Sequence, residues 1–175
     1  MPALATPVST SDHSIGAANA SLVLVEYADY QCPYCGDAYP VVKQISEQWS
    51  SDVRVVFRNY PLAHSHPQAL PAAVTAEFAA KHGKFWQAHD MLYENQRNLG
   101  PAVYADILQA LKLPFEEFAA DVERHAFEGK IRADIDSGNQ SGVNGTPAFF
   151  INGELYQPRG GFEDLARHIQ ALLNR

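Results

Sequence analysis

The sequence predicts an α/β fold in which a β-α-β unit and a later α-β-β-α unit bracket a run of helices. Three observations carry this. Leu22-Val-Leu-Val25 and Val53-Arg-Val-Val-Phe57 are apolar, β-branched runs on either side of one amphipathic helical stretch. Such a short strand-helix-strand sequence makes the two strands parallel. From Pro71 to about Asn139 apolar residues recur at helical spacing, with no strand pattern. Near the end, Asn152-Gly153 separates two short β runs, a strong two-residue hairpin signal.

The elements follow in order. Residues 1–20 are rich in Pro, Ser, Thr and Ala without periodicity, and read as a flexible lead-in in which an edge strand is left undecided. Leu22–Val25 has the pattern of a strand covered on both faces. Asp29, Tyr30 and Gln31 cross into a helix that Pro33 opens, since its missing N–H leaves no donor unpaired at the first helical position. Ala38, Val41, Val42, Ile45 and Trp49 give that helix one apolar face, and Pro40 interrupts its hydrogen-bond ladder. After a loop punctuated by Pro61, Pro67 and Pro71, helices are predicted over Ala72–Lys81, Phe85–Tyr93 and Pro101–Leu111. A further one follows Pro114, with Phe115, Phe118, Ala119 and Val122 in register, and another carries Phe127, Ile131 and Ile135. These stripes read as core. Ala148–Ile151 and Glu154–Gln157 form the hairpin, and Phe162, Leu165, Ala166, Ile169 and Leu172 mark a final amphipathic helix.

At 175 residues, with 46% hydrophobic and 19% charged residues, the chain suits a globular protein with one well-filled core. A net charge of −7 argues against nucleic acid, whose binders present a basic stripe. No run is long and apolar enough for a membrane span. The first residues lack the basic and apolar regions of a secretory signal. With one cysteine pair and no disulfide framework, this points to a cytoplasmic protein, or a periplasmic one whose signal has been removed.

Cys32 and Cys35 are the only cysteines, in the order Cys32-Pro33-Tyr34-Cys35 at a strand-to-helix junction. A cysteine at a helix start feels the positive end of the helix dipole and free backbone N–H groups, both of which favour the thiolate. A second cysteine one turn later can attack a mixed disulfide and resolve it. A closed zinc site needs four ligands, and only histidines are available to complete one, of which His64 and His66 in a Pro-rich loop are the one close pair. Glu26 interrupts an apolar strand six residues before Cys32; it is either a strand-end residue turned to water or a buried one, whose raised carboxyl pKa would suit it to exchange a proton with Cys35. In Gly142-Val-Asn-Gly-Thr-Pro147, a proline heading a strand is a candidate for a cis peptide bond and for an open backbone edge that a peptide could extend.

The QCPYC motif, with Glu26 before it, Pro40 after it and Thr146-Pro147 heading the hairpin, resembles the thioredoxin fold. The inserted helices are similar to those of the DsbA-like thiol-disulfide oxidoreductases. EYADYQCPYCGDAYP, FRNYPL, HGKFWQAHDMLY and SGVNGTPAFFING resemble the bacterial branch of that family, over about residue 12 to the end. The resemblance implies a thioredoxin-like domain over 21–61 and 126–175, with an all-helical insertion over 62–125. It implies that Cys32 attacks, Cys35 resolves and Glu26 relays protons. It also implies that Pro147 is cis, with Pro33, Tyr34, Thr146 and Pro147 meeting substrate. Phe149 and Trp86 are further candidates for the substrate groove.

The expected function is thiol-disulfide exchange with protein or peptide thiols and disulfides, without a bound cofactor or metal. A separate redox partner would recycle the pair, and the chain would act as a monomer. The alternatives are a peptide-binding chaperone module and a peroxide-responsive thiol enzyme of the same fold.

Overall fold

The computed structural model describes residues 2–175. In chain order these form β1 (His13–Ile15), β2 (Leu22–Ala28), α1 (Pro33–Gln48) and β3 (Val53–Asn59). Five helices follow: α2 (Ala69–Lys81), α3 (Phe85–Glu94), α4 (Pro101–Ala110), α5 (Phe115–Glu123) and α6 (Glu128–Gln140). The chain closes with β4 (Ala148–Ile151), β5 (Glu154–Tyr156) and α7 (Glu163–Leu173). The predicted order of elements is therefore observed, with β2 three and β3 two residues longer than the apolar runs alone mark.

Among the described residues the strands make one mixed sheet in the order β1-β3-β2-β4-β5. β2 and β3 are parallel, with Glu26 opposite Phe57, and β4 runs antiparallel on the other side of β2, with Phe149 opposite Glu26. The β4–β5 turn has positive φ at Asn152 (49°) and Gly153 (86°), the conformation that a tight hairpin demands of both central residues.

Side chains alternate along β2, and this decides what lies next to the cysteines. Leu22 and Leu24 pack with Val41, Val42 and Ile45 of α1 and with Leu165 and Ile169 of α7. Val25 and Tyr27 point the other way, toward Phe150, Val143 and Ile135. Glu26 shares the parity of Leu24, so the central strand carries a carboxyl to the α1 face. A further cluster joins Ala28, Phe57 and both cysteines to apolar residues of α2, α3 and α4. On the opposite face α6 approaches closely at Gly138, where a Cβ would lie 2.9 Å from the Tyr60 ring and 3.1 Å from that of Tyr27.

The edge strand left undecided by the sequence is present: β1 pairs antiparallel with β3, His13 opposite Phe57. Further upstream the Leu4 N–H donates to the Gly153 carbonyl at 2.8 Å. Arg58, 2% exposed, donates to both carboxylate oxygens of Asp12 at 2.9 and 3.0 Å and to the carbonyls of Thr6 and Pro7. No local pattern announces such a contact, which joins positions 46 residues apart.

The stripe on α5 joins the core only at Phe118, which packs edge-on against Phe78. Phe115 is 58% and Val122 42% exposed, and the buried residue of this helix is Asp121, held by Lys81 and Arg124. Phe115, Phe118 and Val122 instead line an open apolar groove of about 520 Å³ with Leu70, Val74 and Phe127. Periodicity marks an apolar face, but whether another element covers it depends on where the helix is placed in space.

Candidate active site

Cys32 is the N-cap of α1, in extended conformation (φ −65°, ψ 123°), with Pro33 at the first helical position. Its carbonyl accepts the Gly36 N–H at 3.1 Å. Asp29 shapes the turn before the helix. One oxygen of its carboxylate accepts the N–H groups of Gln31 (2.8 Å) and Cys32 (3.2 Å). The other accepts the Leu62 N–H at 2.9 Å and lies 2.8 Å from Nδ1 of His66. Gln96, just after α3, donates from its amide to the carbonyls of Tyr30 (2.9 Å) and Cys32 (2.8 Å). Gly36 makes room for that reach, since a Cβ there would sit 2.1 Å from Oε1 of Gln96. Gln96 carries no signal in the sequence, and Asp29 shows there only as part of the crossing into the helix. Both act on residues that lie near them only once the chain has folded.

Both thiols are free and buried. The Cys32 sulfur donates to the Thr146 carbonyl at 3.6 Å, and the Asp29 N–H donates to the Cys35 sulfur at 3.5 Å. The two are made chemically unequal by their surroundings. A hydrogen bond from Cys35, outweighing burial and aided by Thr146 and by backbone N–H groups of the first turn, draws the Cys32 thiol down to about 5. In the thiol form the Thr146 hydroxyl is buried without a partner. Ionisation of Cys32 supplies it with an acceptor. Burial, and then the proximity of Cys32 and Glu26, push the Cys35 thiol well above its usual value. At neutral pH the site therefore holds one thiolate and one thiol.

Glu26 is 3% exposed, and desolvation pushes its carboxyl up to about 8. Thr146–Pro147 is a cis peptide bond. Tyr34, 67% exposed, stands with Thr146 and Pro147 along an open groove of about 370 Å³ that continues past Leu155 and Phe162. The structure thus brings Cys32, Cys35, Glu26, Thr146 and Pro147 together, with Pro33 and Tyr34 at the rim. It separates the other two candidates from that groove. Phe149 is 1% exposed in the core, and Trp86 lies beside a different cavity, its indole N–H bonded to the Ser14 carbonyl. An aromatic residue one position after the cis proline's neighbour faces inward because β4 is a covered strand.

Among the described residues, no three His, Cys, Asp or Glu side chains are grouped as a metal site would require. None of the described helices is long and apolar enough to cross a membrane.

Comparison with known proteins fits this geometry. A family model described as Thioredoxin matches residues 9–171. Among solved structures, oxidised BdbD from Bacillus subtilis superimposes with a TM-score of 0.84, covering 97% of this chain and 96% of that one at 20% identity. A periplasmic thioredoxin-like protein from Salmonella enterica serovar Typhimurium gives 0.74, covering 94% and 91% at 24% identity. The fold, with helices inserted between β3 and β4, is that of the DsbA-like oxidoreductases. Among curated sequences, the Na(+)/H(+) antiporter NhaA 3 of Salinispora tropica is 38% identical over 160 residues, which is 91% of this chain and 24% of the antiporter. The chain spans about a quarter of the length of the curated relatives it matches.

These findings correct the expected cytoplasmic location. Relatives sharing a third or more of their aligned residues are named as Na(+)/H(+) antiporters, and a solved neighbour is described as periplasmic. The expectation rested on the first residues and on the small number of cysteines. Neither bears on where a domain works when it can be carried within a longer protein.

Proposed function

The chain belongs to the thioredoxin family, and we propose that it is a thiol-disulfide oxidoreductase acting on protein or peptide substrates through Cys32 and Cys35. The observation that carries the reading is the opposed acidity of the two sulfurs, with the Cys32 thiol near 5 at the helix start and the Cys35 thiol raised behind it. In the reducing direction the Cys32 thiolate attacks a substrate disulfide, forming a mixed disulfide and releasing one substrate thiolate. The minor carboxylate form of Glu26 takes the proton of Cys35, which attacks the Cys32 sulfur. The Cys32–Cys35 bond forms, the second substrate thiolate leaves, and two electrons pass from the pair to the substrate. The oxidising direction is the same sequence reversed. The substrate's backbone lies along Thr146 and Pro147, with Tyr34 and Pro33 forming the rim. The unit made by 21–61 and 126–175 supplies the chemistry, and the helices of 62–125 brace it through Gln96.

Equilibration in graded glutathione buffers, read by thiol trapping, tests this. A Cys32 pKa near 5 falls between those of the attacking cysteines of thioredoxin (about 7) and DsbA (about 3.5). Their potentials are about −270 and −120 mV, and a reversible two-electron transition between those limits supports the reading. No reversible transition refutes it. A binding module without redox chemistry would instead keep its full activity in Cys32→Ser.

A further inference from the structure

Asp29 is a buried carboxylate to which the exchange reaction gives no task of its own. It is 1% exposed and lies between β2 and the helix that carries the cysteines. One oxygen orders the turn through the Gln31 and Cys32 N–H groups, and the Asp29 N–H donates to the Cys35 sulfur at 3.5 Å. The other oxygen reaches the loop after β3, where the Leu62 N–H donates to it at 2.9 Å and Nδ1 of His66 lies 2.8 Å away. That loop is laid along residues 28–31. The Tyr60 N–H donates to the Ala28 carbonyl at 2.9 Å, and the Gln68 N–H donates to Oε1 of Gln31 at 2.6 Å. His66 sits on a local turn, its N–H donating to the Leu62 carbonyl at 2.9 Å, and its side chain is 21% exposed. It thus joins the buried carboxylate to water.

We propose that His66 is a positioning residue for disulfide exchange: its imidazolium is the counter-charge of the Asp29 carboxylate and keeps that carboxylate from opposing a thiolate at Cys32. The proposal rests on the reading of Cys32 as the attacking sulfur. Three observations support it. Asp29 is held by three backbone N–H groups and one side chain, and among the described residues His66 is its one ion-pair partner. The carboxylate lies at the base of the attacking residue, because an N–H it accepts, at 3.2 Å, belongs to Cys32 itself. The ionisable groups around it offer no second cation. Burial first, then Cys35, Glu26, Tyr30 and Asp29, push the Tyr93 phenol up, so these five acids share one poorly solvated region. His89, whose Nδ1 is 2.9 Å from the Tyr30 hydroxyl, is kept neutral by burial, with its pKa down to about 3. Two negative charges in such a region repel, and a cation paired with one of them relieves the repulsion.

The charge balance gives the direction of the effect. Reduction of the Cys32–Cys35 bond takes two electrons and one proton, the proton ending on Cys35 and one negative charge on Cys32. The oxidised pair carries no charge. A cation held against Asp29 therefore stabilises the reduced protein more than the oxidised one. Its removal should raise the Cys32 thiol and make the pair the stronger reductant.

Iodoacetamide alkylation of the reduced protein across pH, with thiol trapping in graded glutathione buffers at pH 6, tests this. His66→Asn keeps a hydrogen-bond donor near the position of Nδ1 and removes the charge. Its alkylation midpoint should rise by about one pH unit from the wild-type value near 5. Its reduction equilibrium constant should fall about five-fold at pH 6, which is about 20 mV. Adding Asp29→Asn to His66→Asn removes the opposing charge and should return the midpoint toward the wild-type value. Circular dichroism and urea unfolding establish that each variant folds. If the double variant does not fold, His66→Asn alone decides. An unchanged midpoint in folded His66→Asn, whatever its stability, shows that His66 only braces the loop and overturns the proposal. A double variant whose midpoint stays as high as that of the single overturns it too, because the effect then does not pass through Asp29. The alkylation readout needs no turnover. A midpoint that shifts as expected in a protein with no reversible redox couple would refute the oxidoreductase reading and leave His66 as the counter-charge that sets the Cys32 thiol.

Discussion

Replacing Glu26 with glutamine removes a titrating group while keeping nearly the same shape, so the pH dependence of stability isolates the cost of burying the carboxylate. In the folded protein the carboxyl titrates near 8, against a model value of 4.5. Between those values the folded state holds a proton that the unfolded state has released, so stability falls as pH rises. The penalty is negligible at pH 4. It grows by about 1.4 kcal/mol per pH unit above 4.5, reaching about 3 kcal/mol at pH 7 and levelling near 5 kcal/mol above pH 8. Glu26→Gln carries no such penalty. Its amide has its own cost of burial, but that cost is the same at every pH. Urea unfolding of both reduced proteins at pH 4, 5.5 and 7 should therefore show the variant gaining about 3 kcal/mol on wild type across the range. Titration of Cys32 is common to both and cancels. A difference that stays constant from pH 4 to pH 7 would refute the argument that Glu26 is buried and neutral.

Cys32 should react with iodoacetamide along a pH curve with its midpoint near 5, while Cys35 stays unreactive through neutral pH. Cys35→Ala removes the largest cause of that low value and should raise the midpoint by about a unit or more, whereas an unchanged midpoint would assign the effect to the helix start. Gly36→Ala should push the Gln96 amide off the Tyr30 and Cys32 carbonyls and cost about 1–2 kcal/mol. In a Gln96→Ala background the same change should cost much less. Additivity of the two substitutions in denaturation experiments would show that the contact is not what the glycine protects.

The features legible in the sequence are those set by near neighbours in the chain. β-branched runs, the proline at the first position of α1 and the Asn152-Gly153 turn each express a local backbone preference, and all three appear where expected. The spacing of Cys32 and Cys35 places both sulfurs at one helix end whatever surrounds them. Glu26 stood out because a charge in an apolar strand must be either buried or turned outward, and alternation along β2 turned it inward.

Other features depend on which distant segments meet. That Asp29 gathers backbone N–H groups from Gln31, Cys32 and Leu62, that Gln96 holds the Cys32 carbonyl from 64 residues away, and that Arg58 ties down Asp12 are outcomes of packing. So is the bare apolar face of α5, since a stripe is defined by what lies opposite it. The sequence by itself determined the order of the elements and the identity of the two sulfurs, through short-range propensity and spacing. Only the tertiary structure decided how acidic each sulfur is, because desolvation and hydrogen bonding come from neighbours that the linear chain keeps far apart.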